Sequence, residues 1–255
     1  MTVIIERDGP VTSVLINRPA VRNCVDHPTA LALRAAFKEF EADDEQKVAI
    51  LGGVGGTFCA GYDLKQASSG AGKFYEPEGE GPMGPTRMLM DKPVIAAVDG
   101  YAVAGGLELA VWCDMRVMED DATFGVFCRR WGVPLIDGGN VRLPRLIGHS
   151  RALDMIMTGR PIGAEEALQW GLANRVVEKG RAHEKAKELA HEIARYPEIC
   201  MRNDRMNSYL QWSMPIDEAL LMEGRNGVKP LEEEATKGAA RFAEGKGRGG
   251  NFNNI

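Results

Sequence analysis

The stretch PVIAAVDGYAVAGGLELAVWC, residues 93–113, decides which fold this chain of 255 residues can adopt. Its first part, residues 94–98, is apolar and uncharged, which predicts a buried strand. Asp99-Gly100 predicts a turn, and Gly105-Gly106 leads into a second apolar segment that predicts a helix ending near Cys113. The stretch is long enough to cross a bilayer, but a carboxylate such as Glu108 inside a membrane span is costly. We therefore predict a buried strand, a glycine turn and a buried helix.

The segments around this stretch alternate between strand and helix patterns. Residues 3–7 and 11–17 are β-rich and flank Asp8-Gly9-Pro10, which predicts a hairpin. Residues 28–42 carry apolar side chains at helical spacing and predict a helix. Similar patterns predict strands at residues 48–51, 115–118 and 174–177, and helices at residues 140–147, 150–158 and 164–170. We expect Ser150 to cap the helix that begins with it.

The last third of the chain has a helical pattern, with breaks expected near Pro197, Pro215 and Pro230. Alternating strands and helices followed by helices alone predict an α/β core with a helical C-terminal region. We place the core at residues 1–195 and the helical region at residues 196–255. Two glycine-rich segments, residues 68–85 and 244–255, are expected to be mobile.

Composition and charge exclude several classes of protein. A content of 44% hydrophobic and 26% charged residues is typical of globular proteins and excludes a disordered or collagen-like chain. The formal net charge of −5 argues against binding to nucleic acid. The five cysteines lack metal-type spacing, so we expect no metal site and free thiols in a reducing compartment. The first residues have no signal or transit pattern, so we expect a cytoplasmic protein without a membrane anchor.

Two glycine turns follow predicted strands, CAGYD at residues 59–63 and AGGLE at residues 104–108. Each turn can aim backbone N–H groups into a cavity, and two such groups from different turns form an oxyanion hole. The second turn starts a helix, whose dipole adds positive potential. Glu108, in the first turn of this apolar helix, is either a partner of the dipole or a reactive group.

Taken together, these segments resemble the crotonase superfamily, the enoyl-CoA hydratases and isomerases. The pieces that carry the resemblance are Asn17-Arg18-Pro19 with Asn23, residues 58–64, 92–100, 105–109, Cys113-Asp114, and residues 138–144, 153–159 and 164–172. The resemblance implies a spiral of ββα units, with C-terminal helices that form a trimer or a dimer of trimers. It implies an acyl-CoA thioester as substrate, with coenzyme A carried by the substrate and no separate cofactor.

By position, the resemblance assigns the oxyanion hole to the backbone N–H groups of Tyr62 and Gly105. It places a further group of residues at the substrate and coenzyme A: Arg22, Ala60, Gly61, Asp63, Leu64, Lys65, Gly106, Cys128 and Trp131. Arg22 and Lys65 are candidates to meet the phosphates of coenzyme A, and each could instead be a solvated surface charge.

Hydration of an enoyl thioester needs one group that activates water and another that protonates the α-carbon. Hydratases of the family use two glutamates for this, and the first corresponds to Glu108. The second falls on Cys128, so the chain departs from the hydratase pattern at a catalytic position. The thiol could donate a proton or be an inert buried group, and Trp131 is expected in the pocket wall or core.

Asp137 is our candidate for the second catalytic group, because burial among its apolar neighbours would raise its pKa. It could instead cap the helix that follows Gly138-Gly139. The first functional hypothesis is therefore an enoyl-CoA hydratase, a lyase. The alternatives are an enoyl-CoA isomerase that uses one carboxylate, another reaction of the family, and a protein that binds acyl-CoA without turnover.

Overall fold

The computed structural model describes residues 1–69, 77–247 and 249. The chain forms two compact units, Met1–Ala194 and Arg195–Ile255. Within the described residues, the strands of the first unit are β1 (Val3–Asp8), β2 (Val11–Ile16), β3 (Val48–Gly53), β4 (Val94–Val98), β5 (Tyr101–Val103), β6 (Met115–Glu119), β7 (Thr123–Gly125), β8 (Ile162–Gly163) and β9 (Arg175–Val177). They form a six-stranded sheet in the order β1-β2-β3-β4-β6-β9 and a three-stranded sheet in the order β5-β7-β8.

Among the described residues, the α-helices of the first unit fall between these strands, except the last, which follows the final strand. Asp26 caps the first helix by accepting the Thr29 N–H at 3.0 Å, and Gly171 ends the sixth. The helices are α1 (His27–Ala42), α2 (Leu64–Ser68), α3 (Gly105–Trp112), α4 (Gly139–Ile147), α5 (His149–Thr158), α6 (Ala164–Trp170) and α7 (Ala182–Ala194).

The predicted cap at Ser150 is wrong. Gly148, with a φ of +81°, turns the chain from α4 directly into α5, so the helix begins before Ser150. A side chain already inside the first turn cannot take the N-cap position.

The larger sheet confirms the α/β class. β1 and β2 form the predicted antiparallel hairpin. The other neighbours in this sheet pair in parallel, which requires crossover connections, here mostly helical. Because successive side chains point to opposite faces of a sheet, Leu51 and Ala96 pack with α1 and α3, whereas Ile50 and Ile95 pack with α7.

The second unit is helical, as predicted. Its helices are α8 (Glu198–Leu210), α9 (Ile216–Asn226), α10 (Val228–Pro230) and α11 (Thr236–Ala243), with a π-helical segment at Leu231–Ala235. Pro197 and Pro215 precede α8 and α9, and near Pro230 the α-helical pattern changes where α10 ends and the π-helical segment begins. Pro230 has a helical φ of −62° and lies in the first turn of α10, where its missing N–H costs no hydrogen bond.

The two segments expected to be mobile fall partly outside the described residues, which leave out residues 70–76, 248 and 250–255. Residues 77–93 are described and contain neither helix nor strand. No helix among the described residues is long and apolar enough to cross a membrane.

Gly106 allows α3 to approach the 59–63 turn, which predicts a large cost for any side chain there. A β-carbon at Gly106 would lie 2.0 Å from the Cys59 carbonyl oxygen, whereas one at Gly163 would meet nothing within 4 Å. We expect Gly106→Ala to lower the free energy of unfolding by about 2 kcal/mol or more and Gly163→Ala to change it by less than about 0.5 kcal/mol. Urea unfolding of both variants measures this, and equal stabilities would contradict the packing.

Candidate active site

The two glycine turns lie against each other in the first unit. Residues 59–63 run beside β5, where the Val103 N–H donates to the Cys59 oxygen at 3.1 Å. Gly61 has a φ of +103°, and a β-carbon there would lie 3.1 Å from the Gly105 nitrogen. The turns that were recognised separately in the sequence therefore form one structural feature.

The N–H groups of Tyr62 and Gly105 lie outside the hydrogen bonds of Val25 and of the helix α3. Val25 donates to the Gly61 oxygen at 2.8 Å and accepts from the Asp63 N–H at 2.9 Å. Because N–H groups alternate in direction along an extended chain, the Tyr62 N–H points away from Val25. Gly105 is the first residue of α3, so its N–H has no acceptor within the helix. Two backbone donors therefore come from adjoining turns.

Ala104 fixes the direction in which α3 begins. Its backbone has a φ of +54° and a ψ of −124°, a conformation that residues with a β-carbon rarely adopt. The Ala104 N–H donates to the Gly125 oxygen at 2.8 Å, which ties this strained residue to β7. Such a residue costs about 1–3 kcal/mol and persists only where the surrounding structure holds it.

Glu108 lies one helical turn after Gly105, and its side chain is only 2% exposed. Its Oε1 accepts hydrogen bonds from the N–H groups of Asp137 and Gly139, at 2.9 and 2.8 Å. Burial raises the pKa of Glu108 to about 7, although the Gly139 N–H opposes this shift by stabilising the carboxylate. A carboxyl group with this pKa can both give and take a proton near neutral pH.

Asp137 is joined to Glu108 through its own backbone N–H, and its side chain is also buried. Its Oδ1 accepts hydrogen bonds from the Met83 N–H, at 3.0 Å, and from the Thr86 hydroxyl. Burial raises the pKa of Asp137, against the lowering effect of these two donors. The alternative role as a helix cap is wrong, because Gly138 occupies the N-cap position of α4 and no side chain caps that helix.

Cys128 is buried near Glu108, in a 3₁₀-helical turn at Phe127–Trp131. Burial raises the pKa of the Cys128 thiol, and the negative charge of Glu108 raises it further. The group is therefore a neutral thiol near neutral pH. Trp131 lies at the end of the same turn and is 70% exposed, so the core, one of the two places predicted for it, is wrong.

Several of the residues expected at the substrate and coenzyme A lie in or next to the 59–63 turn. Arg22, Leu64 and Lys65 are exposed. The Ala60 N–H donates to the Arg22 oxygen at 3.0 Å, which places these two segments side by side. Asp63 caps the short helix α2 by accepting the Lys65 N–H at 3.1 Å.

Arg18 has a structural role that the sequence pattern did not predict. Its guanidinium forms ion pairs with Asp26 at 2.9 Å and Asp63 at 3.1 Å, and it donates to the Cys24 oxygen. It thus joins the start of α1 to the turn that contains Tyr62. The available signal was its position in the Asn17-Arg18-Pro19 motif.

Two arginines attach residues 77–87 to the loop after Cys128, and no local sequence pattern indicated this. Arg87 donates to the oxygens of Pro77 and Gly79, at 2.7 Å each. It also donates to the oxygen of Ile136 at 3.3 Å.

Arg142 donates to the oxygens of Asp137 at 2.9 Å and Thr86 at 2.7 Å. The segment that carries Met83 is therefore held over the Glu108 region by long-range contacts.

A separate cavity of about 540 Å³ lies at the carboxyl ends of β2, β3 and β4. Asp99, Glu119, Lys179 and His183 are among its lining residues, which do not include Glu108, Asp137 or Cys128. Burial raises the pKa of Asp99 to about 6. This cavity is therefore distinct from the cluster at the two glycine turns.

Comparison with known proteins gives consistent matches over nearly the whole chain. The profile of the family described as enoyl-CoA hydratase/isomerase matches residues 6–249. A carnitinyl-CoA dehydratase from Salmonella typhi is 36% identical over 245 residues, covering 93% of this chain and 94% of that protein. The crystal structure of the enoyl-CoA hydratase EchA1 from Mycobacterium marinum has a TM-score of 0.90 and 33% identity, covering 95% of this chain and 96% of that one. A carnitinyl-CoA dehydratase structure from Mycobacterium avium has a TM-score of 0.78 and 32% identity, covering 89% and 90%.

Burial of Glu108 predicts a pH-dependent loss of stability. The pKa of Glu108 rises from 4.5 to about 7 on folding, so between these values the folded chain keeps a proton that the unfolded chain releases. Stability therefore falls as pH rises through this range, by about 3 kcal/mol in total. We expect Glu108→Gln to remove this loss between pH 5 and pH 8 in urea unfolding, whereas the exposed Glu165→Gln leaves it in place. Equal pH dependence of the wild type and Glu108→Gln would contradict the prediction.

Proposed function

Because this chain belongs to the enoyl-CoA hydratase/isomerase family, we propose that it adds water to a 2-enoyl-CoA thioester or removes water in the reverse direction. Its function is acyl-CoA hydratase-like, in line with relatives named as hydratase and dehydratase. Addition and removal of water are two directions of one reaction, so one site serves both. The observation that carries the proposal is the buried Glu108 carboxyl on the helix that begins at Gly105, whose first turn adjoins the 59–63 turn.

The thioester oxygen would accept hydrogen bonds from the N–H groups of Tyr62 and Gly105. As water adds to the β-carbon, electrons of the double bond move onto this oxygen and form an enolate. Two preorganised donors and the positive end of α3 stabilise that charge. Loss of one such donor typically costs about 10²–10³ in rate. Both donors belong to the backbone, so Gly61, Ala104 and Gly106 act through the conformation of the turns.

The proton transfers would use Glu108 as the principal acid and base and Asp137 as the second group. One carboxylate takes a proton from water, whose oxygen bonds to the β-carbon. The other carboxyl group gives its proton to the α-carbon, and the enolate returns to a thioester carbonyl. Burial raises the pKa of Asp137, and the hydrogen bonds that it accepts from Met83 and Thr86 oppose this rise by stabilising the carboxylate, the form that acts as the base. Glu108, with its pKa of about 7, suits the acid.

Asp137, and not Cys128, is our proposed replacement for the second glutamate of the family hydratases. A thiol whose pKa is raised above its ordinary value is protonated at neutral pH and cannot act as the base there. Asp137 is joined to Glu108 by one hydrogen bond and carries a carboxylate, the group that the chemistry requires.

The exposed cations Arg22 and Lys65 would meet the phosphates of coenzyme A. Both lie beside the 59–63 turn, next to Ala60 and Leu64, on the outer side of the site. The substrate brings its own coenzyme A, and neither proton transfer needs a further group. We therefore propose that the reaction uses no separate cofactor.

Two other functions use the same residues. An isomerase that moves the double bond of a 3-enoyl thioester needs one shuttle, which Glu108 alone could supply. A protein that binds acyl-CoA without turnover would gain nothing from Glu108, and a buried ionisable group costs stability. The burial of Glu108 therefore favours an enzyme, and the assay below separates the two reactions.

We also propose that the second unit forms a trimer or a dimer of trimers. In the single chain, the large apolar side chains Ile216, Leu220 and Leu221 of α9 are exposed, and such surfaces favour burial against another copy.

Five free thiols fit a reducing compartment, which supports a cytoplasmic location. The net charge of −5 gives no support for a nucleic-acid partner.

The purified chain should hydrate crotonyl-CoA, and Glu108→Gln should lower kcat by about 10²–10⁴ because it removes the titrating group. Loss of the ultraviolet absorbance of the conjugated thioester, with identification of the product, measures the reaction. Turnover of a 3-enoyl-CoA into a 2-enoyl-CoA without water uptake would favour the isomerase. Saturable binding of either thioester without turnover would contradict both enzymatic functions, and full activity of Glu108→Gln would contradict its role.

The choice between Asp137 and Cys128 predicts different results for two matched variants. Asp137→Asn keeps an oxygen for the Met83 N–H but loses the charge, so we expect kcat to fall at least about tenfold with an unchanged thermal midpoint. Cys128→Ala should keep kcat within about threefold. The reverse pattern, a large loss only in Cys128→Ala, would assign the proton transfer to the thiol.

A further inference from the structure

Met83 covers the start of α3 at the proposed oxyanion hole. Its side chain is 1% exposed, although residues 77–93 form no helix or strand. A β-carbon at Gly105 would lie 2.6 Å from the Met83 Sδ, 2.9 Å from its Cγ and 3.0 Å from its Cε. The thioether end of Met83 therefore packs directly against the Cα of Gly105, occupying the space where any other residue would carry its side chain.

The backbone around Met83 is held on both sides of this contact. Asp137 accepts the Met83 N–H at 3.0 Å and the Thr86 hydroxyl, which fixes the segment to the loop at Glu108. The Gly84 N–H donates to the Gly81 oxygen at 2.9 Å and so forms a turn that contains Met83. Gly84 also packs closely on α1, since a β-carbon there would lie 2.8 Å from the Ala30 oxygen. Met83 is thus placed by its backbone, and its unbranched thioether side chain packs on Gly105.

The position of Met83 defines which part of a substrate it would contact. In the proposed function, the thioester oxygen lies at the N–H of Gly105 and the reacting carbons lie near Glu108, one turn further along α3. The carbonyl carbon and the α-carbon would therefore be the substrate atoms nearest to the Met83 thioether. Groups at the far end of an acyl chain would lie several bonds beyond this contact.

We propose that Met83 determines specificity by excluding substituents on the α-carbon of the acyl group, so that the chain prefers unbranched 2-enoyl thioesters. This inference rests on the proposed function. A pocket wall that must accommodate one additional methyl group typically discriminates by about 10–200-fold. Met83→Ala removes three heavy atoms, which leaves room for a methyl group at the α-carbon.

The test compares crotonyl-CoA with its 2-methyl derivative, 2-methylcrotonyl-CoA, in the full chain. We expect Met83→Ala to raise the ratio of kcat/KM for the methylated substrate over crotonyl-CoA at least tenfold. Met83→Leu, which nearly conserves volume, should keep the ratio of the wild type within about threefold. Met118→Ala is the matched control, because it truncates another buried methionine, in β6, without touching Gly105.

Binding separates failure of this inference from failure of the proposed function. Butyryl-CoA and 2-methylbutyryl-CoA differ by the same α-methyl group as the two enoyl substrates but cannot be hydrated. Met83→Ala should therefore strengthen the binding of 2-methylbutyryl-CoA relative to butyryl-CoA. Suppose that the wild type hydrates crotonyl-CoA, but that Met83→Ala changes neither the ratio of the kcat/KM values nor the ratio of the dissociation constants. The inference is then overturned and the proposed function stands. A change with chain length but not with α-methylation also overturns it. If the wild type binds these thioesters without hydrating any enoyl-CoA, the proposed function fails, and the binding ratio alone decides the role of Met83. Absence of binding to the wild type overturns both.

Discussion

The close approach of α3 to the 59–63 turn is the contact on which the rest of the site depends. A β-carbon at Gly106 would overlap the Cys59 carbonyl, and one at Gly61 would press on the Gly105 nitrogen. Both positions must be glycine for the start of α3 to lie against the turn. This packing brings the N–H groups at the start of the helix beside the N–H group of Tyr62. The strained backbone of Ala104 is stabilised by this packing and by its hydrogen bond to Gly125.

From this contact, a chain of interactions runs around the site and returns to its starting point. Glu108, one turn along α3, accepts the N–H groups of Asp137 and Gly139. The carboxylate of Asp137 in turn holds the backbone of Met83, whose side chain packs on Gly105. Every member of this ring is positioned by a neighbour from a distant part of the sequence, so a shift in any one of them would move the others.

The sequence predicted the parts of this arrangement that have local causes. The buried strand β4, the two glycine turns and the helix that carries Glu108 follow from patterns within a few residues. Features with long-range causes could not be predicted in this way. The hydrogen bond between Asp137 and the Met83 N–H joins positions 54 residues apart. The bonds from Arg142 to Thr86 and from Arg87 to Ile136 span 56 and 49 residues. The exposure of Trp131 was also missed, because a bulky apolar residue in a short turn has no pattern that reveals which side it faces.

The departure from the hydratase pattern that we propose at Cys128 has an electrostatic basis. The charge of Glu108 raises the pKa of the Cys128 thiol, so a carboxylate at position 128 would be destabilised by Glu108 in the same way. With a neutral thiol at position 128, the region keeps Glu108 and Asp137 as its carboxyl pair. Asp137 contributes its backbone N–H to Glu108 and its carboxylate to the segment that carries Met83. If Asp137 is the second carboxylate, as we propose, it would therefore couple the proton transfers to the position of Met83, the residue that we propose to contact the substrate.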